Sequence, residues 1–265
     1  MSSRPEGSIS GEKPRLAYAA NRGIGLACLR ELIEIDWRPC VLILPSGPVA
    51  ECVEEMKRLV PEVPVLDQPP PLGKKEMFRV LGVDYLLSVH FPFKFPRGLL
   101  ELPAIGTLNL HPAWLPYNRG WHTPTWAIYE TTPYGATLHW VDEGLDSGDI
   151  ALRRRIEVQP CDTAHTLYQR VLELEETLLR EALPLMIEKR LPRIPQERHG
   201  TSHAKHEIAR IQMLELGRLA RIEDVIKQLR ALTTNRRDEA AYFEVDGMRY
   251  RMRVEIVPEG PMHGA

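Results

Sequence analysis

Between residues 15 and 89 short apolar runs alternate with segments of helical period, and nothing else in the 265-residue sequence restricts its fold as strongly. Residues 15 to 20 (RLAYAA) and 40 to 44 (CVLIL) read as buried strands. Between them Asn21 opens a helix that runs to about Asp36 with Ile24, Cys28, Leu29 and Leu32 on one stripe. A helix near 48 to 59, a short strand at 63 to 66, a helix at 73 to 81 and a strand at 83 to 89 continue the pattern. Strands separated by helices pair in parallel, because each crossover must carry the chain back along the sheet. The sequence therefore predicts an α/β chain with a mostly parallel sheet covered by helices on both faces, and ligands at the carboxyl ends of its strands.

Three further strands follow at 105 to 111, 135 to 141 and 150 to 158, the last two as a closing pair. Asp162 or Thr163 then caps a long helix whose Leu167, Val171, Leu174, Leu178 and Ala182 face inward, and Pro184 kinks or ends it. From about 191 the texture changes to a Pro-punctuated linker, a charged segment with helical periodicity to about 231 and a hairpin turning on Asp246 and Gly247. Three parts are expected: a disordered segment over 1–14, the sheet domain over 15–190 and a small helix and β-hairpin module over 191–265.

The 43% hydrophobic and 26% charged content supplies a real core and excludes disorder as the main state. A formal net charge of -2 gives no global attraction to nucleic acid. No apolar run approaches the roughly 20 residues of a membrane span, and the polar N-terminus lacks the apolar centre of a secretion signal, so a cytoplasmic protein is expected. Cys28, Cys40, Cys52 and Cys161 form no C-x-x-C pair or Cys/His cluster and read as ordinary, mostly buried thiols; His203 and His206 lack a third ligand, so no metal is expected.

Two stretches can carry chemistry. In LNLHPAWLPYNRG, Asn109 and His111 are one residue apart on a strand, so both side chains point to the same side, and Pro112 and Pro116 stiffen the strand end. About thirty residues on, DEGLDSGD packs acids between glycines; such a turn is a plain loop, a cation site or the source of a carboxylate beside His111. The loop Asn21, Arg22, Gly23, Ile24, Gly25 lacks the third glycine of a Rossmann dinucleotide fingerprint. Its glycines serve either close packing or an anion at the helix N-terminus, and a nicotinamide cofactor is disfavoured.

The pair NLHPAWLPYNRG and DEGLDSGDI, in this order and spacing, resembles the signature of the folate-dependent formyltransferases, most like the nucleotide-sugar N-formyltransferases. The resemblance is good over residues 83 to 185 and implies a Rossmann-like fold, with 15–190 as the catalytic domain. It also implies catalytic Asn109, His111 and Asp146, and 10-formyltetrahydrofolate as formyl donor. A substrate amine would attack the formyl carbon, with Asn109 donating to the oxyanion, His111 moving the proton and Asp146 orienting it. Folate is expected between Ser88, Val89, His90, Phe91 and Pro92 on one side and Asp142 and Gly144 on the other. Asn21, Arg22, Tyr117, Asn118, Arg119 and Trp121 are expected to face the acceptor.

The family's tRNA-formylating members carry a larger C-terminal domain, and its glycinamide ribonucleotide enzymes open on a phosphate loop that ANRGIGLAC does not match. YNRGWHTP, Gly200-Thr201-Ser202-His203, Leu229 to Thr233 and the terminal hairpin match the sugar enzymes better. The expected acceptor is thus a nucleotide-linked amino sugar, and the expected assembly a homodimer. Transfer to another amine, such as methionyl-tRNA or glycinamide ribonucleotide, and a non-catalytic folate or sugar-nucleotide binder are the alternatives.

Overall fold

Hydrophobic period and strand alternation become a seven-stranded sheet in the computed structural model, which describes residues 12–67 and 75–260. The chain runs β1 (Leu16–Ala20), α1 (Arg22–Glu34), β2 (Val41–Leu44), α2 (Val53–Leu59), β3 (Val65–Asp67), α3 (Lys75–Leu81), β4 (Tyr85–Val89), α4 (Arg97–Leu100) and β5 (Gly106–His111). It continues through β6 (Arg119–Gly120), α5 (Thr123–Glu130), β7 (Tyr134–Trp140), β8 (Ile150–Ile156) and α6 (Ala164–Ile187). Last come β9 (Ser202–His203), α7 (Ile222–Leu232), β10 (Ala241–Val245) and β11 (Met248–Met252).

The sheet order is β3-β2-β1-β4-β5-β7-β8, with β1 to β5 parallel and β7 and β8 antiparallel, as the closing pair predicted. Alternate residues of one strand serve opposite cores. Leu16, Tyr18 and Ala20 join Leu29 and Leu32 of α1 and Leu178 and Ala182 of α6, whereas Ala17 and Ala19 join Phe78 and Leu99 on the other face. The chain leaves β1 toward β2 on one side and later returns to β4 on the other, so a crevice opens at the carboxyl ends of β1 and β4. One backbone bond bridges it, from Asn21 N–H to the Val89 carbonyl at 3.2 Å.

Several local expectations change. The helix expected over 48 to 59 is a 3₁₀ turn at Gly47–Val49 followed by α2, broken where Cys52 takes φ 57°. Thr163 caps α6 through a reciprocal pair with Thr166, and Pro184 sits inside the last turn, three residues before the end, without kinking it earlier. Only Cys28 is buried; Cys40, Cys52 and Cys161 are half-buried. Of the segment expected to be disordered, residues 1–11 lie outside the described residues, but Lys13 donates to the Ile35 carbonyl and Pro14 O accepts from Trp37 Nε1, so the chain is already anchored there.

The C-terminal elements pack on α5 rather than standing apart: Trp126 shares a core with Ile208, Ile211, Leu229, Leu232 and Ala241. The hairpin turns on Asp246 at φ 51° and Gly247 at φ 75°, which is the left-handed pair that Asp-Gly supplies most easily. Among the described residues no helix is long and apolar enough to cross a membrane.

Candidate active site

Register places the first two candidates. Ser88, Asn109 and His139 lie side by side across β4, β5 and β7, and His111 is two residues further along β5 opposite Thr137. Thr137 Oγ1 donates to the Ala113 carbonyl and accepts from Leu115 N–H, so the chain leaving His111 is tied to the neighbouring strand. His111 is 6% exposed, while Asn109 is half-buried toward the carboxyl end of β5.

The acidic turn supplies the third. Asp146 Oδ2 lies 3.6 Å from His111 Nε2, and Oδ1 lies 3.5 Å from Nε2 of His139, a residue that no motif in the sequence singles out. Gly120 N–H donates to Asp146 Oδ2 at 2.9 Å. His139 Nδ1 donates to the Trp140 carbonyl at 2.9 Å, so in the neutral ring Nε2 is the acceptor, and Asn109 Nδ2 donates to it at 3.2 Å. That bond fixes which end of the Asn109 amide faces inward and leaves its second amide hydrogen without a partner among the described residues. His139 thus touches both Asn109 and Asp146.

The turn is held open by its own bonds and by one glutamine. Asp142 Oδ1 accepts from Gly144 N–H and from Ser147 Oγ. Gln196 Nε2 donates to the Asp146 and Gly148 carbonyls, and Arg119 in turn donates to Gln196 Oε1. Asp146 itself has φ 50°, a left-handed conformation uncommon outside glycine, which this bracing sustains.

Burial pushes the His111 imidazole below its ordinary value, and the Asp146 carboxylate only partly opposes it, so the ring is neutral near pH 7. For Asp146, burial alone would favour the protonated acid, but His111, His139 and the Gly120 N–H together outweigh it and hold the carboxyl well below the usual range. A proton entering the pair therefore settles on imidazole while Asp146 stays ionised. The Nε2 contacts of His111, 3.4 Å to the Asn118 carbonyl and 3.6 Å to Asp146, are long, which leaves the ring room to tighten on a bound substrate.

Known proteins resemble this chain in sequence and in fold. The formyl transferase family model matches residues 73–183, and the N-formyltransferase dimerization C-terminal domain matches residues 207–258. The chain carries formyltransferase domains over these two stretches. The dTDP-4-amino-4,6-dideoxyglucose formyltransferase of Mycobacterium tuberculosis is 27% identical over 178 residues, 67% of this chain and 75% of that protein. A sugar N-formyltransferase from a Shewanella species shares the fold at TM-score 0.80 and 18% identity, over 93% of this chain and 99% of that one. The formyltransferase PseJ of Anoxybacillus kamchatkensis, solved with UDP-4,6-dideoxy-4-formamido-L-AltNAc and tetrahydrofolate, is 27% identical at TM-score 0.53, over 71% of this chain and 97% of that one. Methionyl-tRNA formyltransferases also match, at 28% to 35% identity over 134 to 201 residues.

Within this formyltransferase the remaining expected residues divide sharply. The Asn21 side chain is closed onto backbone: Nδ2 donates to the Val49 carbonyl and Oδ1 accepts from Glu51 N–H. Asn118, 1% exposed, is engaged by Thr132 and Thr201; its side chain faces the core, and only its carbonyl reaches the site. Both residues brace the site instead of facing an acceptor. Arg119 is likewise turned onto Gln196. Arg22 donates to Tyr168 Oη and stays half-exposed, Tyr117 is half-buried and Trp121 is 40% exposed.

On the expected folate side, Ser88 and Val89 are buried, so only their backbone can meet a ligand. His90, at φ 51°, points inward onto Glu175 and not toward a ligand. Phe91 stacks on Phe95 and meets Phe93 edge-on, which makes a half-buried apolar ledge with Pro92. A depression of about 320 Å3 lined by Lys94, Phe95, Arg97, Leu100 and Glu143 joins this ledge to the acidic turn. A larger one of about 450 Å3 lies away from the triad, along Pro45 to Lys57. Among the described residues no three His, Cys, Asp or Glu side chains converge as metal ligands.

Proposed function

We propose that this formyltransferase moves the formyl group of 10-formyltetrahydrofolate to the amine of a nucleotide-linked amino sugar. The observation that carries the reading is the ionised Asp146 carboxylate set between His111 and His139, with Asn109 beside them toward the carboxyl end of β5. The donor supplies the activated formyl carbon. Asn109 offers its free amide hydrogen to the charge that develops on the formyl oxygen, an interaction worth roughly 10²- to 10³-fold in rate. Neutral His111 takes the proton of the attacking amine as the new C–N bond forms, and returns it to the nitrogen that departs when the old C–N bond breaks. Asp146 stabilises the imidazolium in between.

The ledge of Phe91, Pro92 and Phe93, the backbone of Ser88 to His90 and the turn at Asp142 to Gly144 fit a flat heteroaromatic ring with polar edges. For the acceptor, the sugar-nucleotide specificity of the relatives supports the reading, and Tyr117, Trp121 and Arg22 are the expected contacts still open. A homodimer agrees with the dimerization domain match and with the exposed Ile222 and Ile226, one turn apart on α7, and the exposed Met248 and Tyr250 on β11. The decisive assay offers 10-formyltetrahydrofolate with a panel of nucleotide-linked amino sugars and, separately, charged methionyl-tRNA. Transfer to a sugar nucleotide supports the reading; transfer to tRNA alone overturns it.

A further inference from the structure

We infer that Trp121 and Lys205 form a subsite for the nucleoside diphosphate of the acceptor, an inference that rests on the nucleotide-sugar reading above. Trp121 follows Gly120, whose N–H holds the Asp146 carboxylate, so it stands one residue along the chain from the reacting groups, at their rim. It is 40% exposed, whereas Trp37, Trp126 and Trp140 are buried at 5% or less. The parallel pairing of β6 with β9 brings Lys205 to the same rim, with Trp121 N–H donating to the His203 carbonyl at 3.0 Å. The Lys205 ammonium lies 5.0 Å from the indole centroid, is exposed, and meets no carboxylate among the described residues.

The rim is held from beneath. His122, at φ 56°, faces the Lys205 carbonyl through Nε2 at 3.2 Å and Glu239 through Nδ1 at 3.8 Å. Arg236 closes the arrangement on Glu239 at 3.2 Å. Two left-handed residues, Gly120 at φ 89° and His122, flank Trp121 and set the direction in which its ring leaves the chain. An indole face with a free ammonium over it matches one ligand chemistry well: an aromatic base joined to a polyanion. An exposed cation–π contact is a weak resting place for the ammonium, and a diphosphate offers it a charge-assisted bond about twice as strong as a neutral one, clearing the ring for the base.

The test uses the full-length protein and its Lys205→Met, Lys205→Arg and Trp121→Ala variants. UDP and dTDP are titrated against intrinsic tryptophan fluorescence, and transfer to the best nucleotide amino sugar is measured separately. The expected result is quenching by the diphosphates that Trp121→Ala removes, and a KM for the sugar nucleotide raised about tenfold in both Lys205→Met and Trp121→Ala with kcat moved far less. Lys205→Arg should restore most of the lost affinity. Quenching that persists in Trp121→Ala, or KM values within about twofold of the parent, overturns the subsite while leaving the nucleotide-sugar reading intact. If no sugar nucleotide is formylated at all, that reading falls, and quenching alone then decides whether the subsite binds nucleoside diphosphates.

Discussion

The His90–Glu175 and His111–Asp146 pairs are both set into the interior, and only the second is built to react. His90 Nε2 lies 2.8 and 3.1 Å from the two oxygens of Glu175, whose side chain is fully buried, and Tyr168 Oη lies 3.1 Å from His90 Nδ1. Both ring nitrogens are occupied and nothing is left for a ligand. His111 and Asp146 stand 3.6 Å apart at a half-open edge, and the carboxylate has a second imidazole and a backbone N–H as partners. The same residue types thus give a closed strut where contacts are short and complete, and a proton-handling centre where they are long and shared. A histidine beside an acid is therefore no sign of catalysis until its remaining hydrogen-bonding capacity has been counted.

The sharpest way to break the contrast is to neutralise each pair in turn. His111→Asn and Asp146→Asn should lower kcat by roughly 10²- to 10⁴-fold while folate affinity, measured by calorimetry, stays near the parent value. Glu175→Gln should fall far short of that loss in the same assay; an equal loss in correctly folded protein would mean that the closed pair also takes part in turnover. The closed pair should show itself in stability. His90→Ala leaves the Glu175 carboxylate buried without a partner, at a cost of about 3–5 kcal/mol in urea denaturation. A change below about 1 kcal/mol would show that the His90–Glu175 contact is not the strut described here.

How much of the site is legible in the sequence depends on distance along the chain. Asn109 and His111 share a strand, so a two-residue spacing suffices to place them together, and the alternation of strand and helix suffices for the sheet. Asp146 is reachable only through the motif pair, because its partners come from β5, β6, β7 and the linker after α6. His139 carries one local signal: it opposes Asn109 in an antiparallel pair, where a histidine among GATLHWV interrupts an apolar strand. Gln196 gives none, being one polar residue in a Pro-rich linker. Asn21, His90 and Asn118 read as ligand contacts because polar residues in site loops look available. Left-handed backbone at His90 and Asn118, together with neighbouring carbonyls, turns these side chains inward, and neither feature is encoded by residue type.

A smaller effect probes how the open pair is assembled. His139→Leu removes the acceptor that orients Asn109, one neighbour of Asp146 and an edge-on ring neighbour of His111, while the proton carrier itself stays in place. Turnover should drop about tenfold, in line with one lost hydrogen bond in a buried setting, and the pH at which activity half-appears should move less than in Asp146→Asn. A loss as large as that of His111→Asn would instead make His139 a proton carrier.

The smallest expected change is the position of the acidic limb of kcat/KM. Burial lowers the His111 pKa below 6.5, so the neutral base is lost only as pH falls through that lower value, and activity is flat through neutrality. Asp146 acts in the opposite direction on the same ring, raising its pKa. The residual activity of Asp146→Asn should therefore show its acidic limb at a lower pH than the parent, even though the activity itself is much reduced. Stability has a matching sign: the unfolded chain protonates this histidine near 6.5 and the folded chain only at lower pH, so the unfolded state binds more protons in that window and stability declines as pH falls through it. The depressed Asp146 carboxyl adds a second contribution, stability that is fully present above its ordinary value of 3.8 and lost on further acidification. A limb that moves to higher pH in Asp146→Asn would show that the carboxylate does not face the imidazole in the working enzyme, and the difference between the two pairs would have to be drawn elsewhere.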